Sequence, residues 1–207
     1  MQLTKQVSSH QFKQWLTSLV TLFFVTPVFG SWDEDFQLLK DRPRSYEVAG
    51  AICEELARIK FEKQYNNSNY EIEVGIAYGD RQRTIGELDI IVFSRETQSV
   101  IHIAEVKCWK DMSAGLEKAR DQRLRFLNNV KSTQKQISFQ STSRDQTFAV
   151  DQFRNVTSFS TIGQKGSVEA GYDAELDYDL RELHHLSMDM IRCQDRSECA
   201  KPLKSEK

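Results

Sequence analysis

Between Tyr70 and Val106 the chain carries three stretches of strand-like pattern. Tyr70–Ile76 alternates along its length, Ile90–Phe93 is a continuous apolar run rich in β-branched residues, and Val100–Val106 alternates again. A period of two is the mark of a strand with one face buried. The polar stretch Ser94–Ser99 suits a hairpin loop joining the last two strands. Helical spacing flanks this block. Ser45–Phe61 carries Val48, Ile52, Leu56 and Ile59 near a 3.6-residue period, and Leu116–Val130 carries Leu116, Ala119, Leu124, Leu127 and Val130. Beyond Val130 the pattern weakens. Residues Lys131–Arg144 read as a loop or helix end, Gln146–Val150 and Val156–Ile162 as later strands, and Thr161–Gly166 as a turn. Leu180–Cys193 reads as a terminal helix capped by Asp179 and carrying His184 and His185, which read as surface or packing residues.

The hairpin concentrates the candidate chemistry. Asp89 heads one strand, and Glu105-Val106-Lys107 closes the next. Glu105 and Lys107 are two apart, so both leave the strand on one face; if the strands pair as a hairpin, Asp89 lies beside them. Carboxylate oxygens, completed by carbonyls and waters, suit Mg²⁺ or Mn²⁺. A lysine there would orient or help deprotonate a metal-bound water and offset phosphate charge, the usual recipe for phosphodiester hydrolysis. The competing interpretation is that edge strands carry Glu and Lys as solvated charges.

An aspartate, a spacer and Glu-x-Lys on a β-hairpin between two helices resemble the PD-(D/E)xK nuclease superfamily, over roughly Tyr46–Val130. Leu88 stands where the family's proline would be. The resemblance implies an α/β restriction-endonuclease-like core, a mixed central sheet flanked by helices in α-β-β-β-α-β order. It implies Mg²⁺ or Mn²⁺ held by Asp89 and Glu105, with Lys107 positioning the attacking water. Glu47 resembles the family's acidic residue on the first helix and joins the metal ligands, with Glu54 and Glu55 as competitors. Gln122-Arg123-Leu124-Arg125-Phe126 resembles the glutamine motif of RecB-like members, with Phe126 at the position of a frequent tyrosine. Gln122 then bonds a phosphate or the nucleophilic water. Many relatives dimerise, which admits a homodimer.

Charge and cysteine usage modify this picture. The net charge of −2 argues against a generally basic nucleic-acid binder, yet Lys118, Arg120, Arg123, Arg125, Lys131 and Lys135 form a local basic surface that could hold phosphates. Glu117 and Asp121 interleave with them, as on an ordinary solvated face. At the N-terminus, Lys5 and Lys13 precede an uncharged, largely apolar run, Trp15–Phe29, and Val28-Phe29-Gly30 ends on a small residue. This fits a signal peptide over residues 1–30, with an uncleaved anchor at residues 15–29 as the rival and membrane as partner only in that case. Either predicts export to the periplasm or the extracellular space. Cleavage would remove two lysines and no acid, taking the charge from −2 to −4.

Residues 31–193 then form one nuclease-like domain and 194–207 a polar, mobile tail. The four cysteines suit export; Cys193 and Cys199 could close a small loop, and no Cys-x-x-Cys suggests zinc. The expected function is an exported, metal-dependent nuclease acting on nucleic acid. The alternatives are an inactive binding protein of the same fold, or a secreted toxin or effector acting on a specific RNA or DNA.

Overall fold

A computed structural model describes residues 32–80, 82–132 and 136–202. The signal-like segment 1–30 and Lys135 lie outside them. Among the described residues no helix is long and apolar enough to cross a membrane.

The chain folds as a seven-stranded mixed sheet flanked by helices. In order it forms α1 (Trp32–Lys40), α2 (Ala51–Gln64), β1 (Tyr70–Gly79), β2 (Thr84–Ser94), β3 (Val100–Val106), α3 (Met112–Val130), β4 (Ser138–Ser141), β5 (Thr147–Phe148), β6 (Ser158–Gly163), β7 (Ala174–Glu175) and α4 (Leu180–Asp195). The sheet order is β5-β4-β1-β2-β3-β6-β7. The β1–β2–β3 meander is antiparallel, whereas β6 runs parallel to β3. A parallel return needs a crossover, and α3 lies in it.

Two apolar cores sandwich the sheet. Ile52, Leu56 and Ile59 of α2 and Leu183, Leu186 and Met190 of α4 pack with Val74, Ile90, Val92, Ala104 and Val106. Phe126 and Val130 of α3 pack with Ile76, Leu88, Ile91, Ile103, Phe139 and Phe153. The apolar residues of β1 change sides between Val74 and Ile76, and those of β2 between Leu88 and Ile90. Gly75, at φ +74°, permits the change: a Cβ there would come within 2.2 Å of Thr142 Oγ1. Asp89 therefore sits where the sheet exchanges one core for the other.

Four expectations are corrected. The first core helix begins at Ala51, not Ser45, because Gly50 adopts φ +90° at its N-cap; Val48 is left 57% exposed in the preceding turn. On α3, Leu124 is 58% exposed, and the inward stripe is Leu116, Ala119, Phe126 and Val130. Within 131–144, Ser138–Ser141 forms β4, which pairs with β1 and extends the sheet beyond the meander. The alternation expected over Val100–Val106 breaks at Ile101: the register skips it between Val92↔His102 and Phe93↔Val100, and it packs against the α2 core while Ile103 lies in the other. The start of the presumed tail is also tied down. The Cys193–Cys199 disulfide, Gln194 donating to Arg44 O and Ala200 O, and Ala200 N donating to Lys40 O hold it against α1.

Candidate active site

The hairpin register assembles the site. Ile90 pairs with Ala104 and Ile91 with Ile103, so one further step sets Asp89 opposite Glu105. The backbone N–H of Val106 donates to Asp89 Oδ2 at 2.8 Å, and that of Lys107 to Ile162 O of β6 at 2.8 Å. These bonds tie the end of β3 to Asp89 on one side and to β6 on the other.

Lys107 Nζ then reaches three oxygens at once. It donates to Asp89 Oδ2 at 2.6 Å, to Val106 O at 3.0 Å and to Glu105 Oε2 at 3.4 Å. All three residues are buried, at 7%, 3% and 9% exposure for Asp89, Glu105 and Lys107. One ammonium thus faces two carboxylates, a surplus of negative charge away from water. Glu105 Oε1 is buried and finds no donor among the described residues. Burial first, and the charge of Asp89 second, push the Glu105 carboxyl up from its ordinary value. For Lys107, burial favours the neutral amine, but Asp89 and Glu105 outweigh it and raise its pKa. Lys107 is therefore held as a charged donor to the two carboxyl groups.

A third acid approaches from α2, and it is not Glu47. Glu47 is exposed in the turn ahead of the helix, because Gly50 ends that turn and the helix starts after it. Glu54, half-buried in the first turn of α2, is pushed up to about 7, chiefly by burial and then by Asp89, with Arg44 opposing as its ion-pair partner. Glu55 belongs elsewhere: it is buried beside Arg58, with Arg44 and then Arg42 next in influence. A covalent tie holds α2 to the site. Cys53, next to Glu54, is bonded to Cys108, next to Lys107. The first-turn position of Glu54 was legible only once Gly50 was read as the helix start, and the Cys53–Cys108 pairing had no local signal.

The glutamine motif divides. Gln122 falls between Ala119 and Phe126 on the inward stripe, and its Oε1 is buried with no donor among the described residues. Phe126 is wholly buried in the second core, edge-on to Tyr78, and does not line the site. Of the basic residues, Lys118, Arg120, Arg123 and Arg125 are all exposed on α3. Arg120 and Arg123 line a cavity of about 200 Å³ that Glu105 also walls.

Among the described residues no group of three or more His, Cys, Asp or Glu side chains is arranged to hold a metal. What converges is two carboxylates, a main-chain carbonyl and an ammonium. Hard oxygen donors are what a small divalent cation requires, and here the Lys107 ammonium stands among them. No family model, curated protein or solved structure matches this chain.

Proposed function

We propose that this protein is an exported, metal-dependent nuclease built on a restriction-endonuclease-like core. The observation that carries the reading is the convergence of Asp89 Oδ2, Glu105 Oε2 and Val106 O on the Lys107 ammonium. A buried cation already sits at that point, and the unpartnered Glu105 Oε1 leaves one carboxyl oxygen open to a further contact. The order α2-β1-β2-β3-α3-β6, with the β4–β5 hairpin inserted before β6, supports the same core. Two disulfides suit an oxidising compartment.

In this reading Asp89, Glu105 and the Val106 carbonyl hold Mg²⁺ or Mn²⁺, and Glu54 takes the helix-acid role first given to Glu47. When bound, the ion supplies Lewis-acid polarisation of a phosphoryl oxygen and acidifies its water. Lys107 donates hydrogen bonds to the phosphate and offsets its growing charge. Arg120 and Arg123 draw the nucleic-acid backbone to the cavity beside Glu105.

The test is cleavage of plasmid, linear DNA and RNA with Mg²⁺, with Mn²⁺ and with EDTA. Metal-dependent cleavage that Asp89→Asn abolishes, with an unchanged circular-dichroism spectrum, is the expected result. Cleavage surviving in Asp89→Asn sinks the assignment. A second reading, a binding protein that has lost catalysis, is favoured by one observation: Lys107 itself fills the three-oxygen point. Mn²⁺ binding by calorimetry without hydrolysis of any of the three substrates would select it.

A further inference from the structure

The cavity between α3 and β6 is polarised, and its two sides differ in chemistry. Arg120 and Arg123 of α3 bring positive charge to one side. Phe159, Thr161 and Asp173 form the other. The Arg123 guanidinium lies 4.4 Å from the centre of the Phe159 ring, so an aromatic face and a guanidinium plane meet at the cavity. Asp173 is fixed there, because its Oδ2 accepts from both Thr161 N at 2.8 Å and Thr161 Oγ1 at 2.9 Å. The remaining wall is Glu105, buried and carrying the unpartnered Oε1. Whatever fills the cavity is therefore next to the carboxylate pair.

We infer that this cavity receives one unpaired nucleotide, its base stacking on the Arg123 guanidinium that Phe159 backs and its phosphate drawn to the charges of Arg120 and Arg123. Volume decides against anything larger: about 200 Å³ admits a single ring system and excludes a base pair. Charge decides the orientation. A fixed carboxylate at Asp173 repels phosphate and accepts from base N–H groups, while the two arginines attract phosphate. A guanidinium plane backed by an aromatic ring accepts any base face, so the selection is for single-strandedness and not for sequence. On the nuclease reading, on which this inference rests for its catalytic consequence, substrates with single-stranded ends, gaps or loops are cut and blunt duplex is not.

The experiment measures binding in EDTA, where no cleavage intervenes. Fluorescence anisotropy would follow a labelled single-stranded oligonucleotide and a blunt duplex of the same length, and 2-aminopurine in the single strand would report stacking. The expected result is tighter binding of the single strand with a stacking-dependent change in 2-aminopurine emission. Phe159→Leu keeps apolar volume and removes the ring; it should weaken single-strand binding roughly tenfold and leave duplex binding unchanged. Arg123→Gln, at an exposed position, should weaken single-strand binding at least as much and duplex binding to a smaller extent, because it removes a phosphate-attracting charge as well as the stacking plane. Equal affinity for both nucleic acids, or single-strand binding indifferent to both variants, overturns the inference even if the protein cleaves DNA. Ring-dependent single-strand binding by a protein that cleaves nothing upholds the cavity and refutes the nuclease reading instead.

Discussion

Removing the Cys53–Cys108 disulfide should cost about twice the stability lost with Cys193–Cys199. In the chain-entropy account, a cross-link restricts the unfolded chain in proportion to the logarithm of the loop it closes. The first bridge spans 55 residues and the second 6. At 25 °C these give about 4 and about 2 kcal/mol. For a chain of this size each kcal/mol moves Tm by about 2–4 °C. The double variant Cys53→Ala/Cys108→Ala should therefore melt about 8–16 °C below wild type, and Cys193→Ala/Cys199→Ala about 4–8 °C below. Thermal unfolding followed by circular dichroism, without reductant, reads both. The two bridges differ in context as well as in length. One ties α2 to the end of β3; the other pins the chain after α4 within a single local turn. If Cys53→Ala/Cys108→Ala melts no lower than Cys193→Ala/Cys199→Ala, loop length does not govern the contribution and the reasoning fails.

Two further outcomes concern the charges at the site. Lys107→Met leaves Asp89 and Glu105 buried with no cation between them, which should cost about 3–5 kcal/mol in EDTA. Mn²⁺ should then raise the Tm of this variant more than that of wild type, because the ion takes over the three-oxygen point; an absent Mn²⁺ response would show that the oxygens do not form a cation site. Glu54 is held near 7 against an ordinary 4.5, so the folded chain keeps its proton where the unfolded chain has lost it. Stability should fall as pH rises from about 4.5 to about 7, by on the order of 3 kcal/mol from this group. In metal-free urea titrations Glu54→Gln should lack that slope, and an identical pH dependence in both proteins would contradict the placement of Glu54 beside Asp89.

Local pattern carried much of this protein's design. Alternation marked β1 and β3, a continuous β-branched run marked β2, and a two-residue spacing put Glu105 and Lys107 on one side of a strand, where Nζ meets Oε2. Asp179 was legible as a cap because its side chain accepts from the backbone N–H groups of Arg181 and Glu182, two and three residues on. These inferences succeeded because backbone geometry within a few residues determines them.

Other features depended on partners far along the chain. Glu47 and Glu54 look alike to a helical period, and the left-handed Gly50 together with the approach of Asp89 separates them. Phe126 follows the glutamine motif in sequence, yet the stripe that places Gln122 on the sheet side sends Phe126 into the second core. The cavity joins Arg120 and Arg123 of α3 to Phe159 of β6 and Asp173 beyond it, across a parallel crossover. The Cys53–Cys108 bond closes 55 residues. Periodicity states which face of an element is apolar. Only the packing of elements against one another decides which charge meets which, because burial and Coulomb forces act through space and take no account of sequence separation.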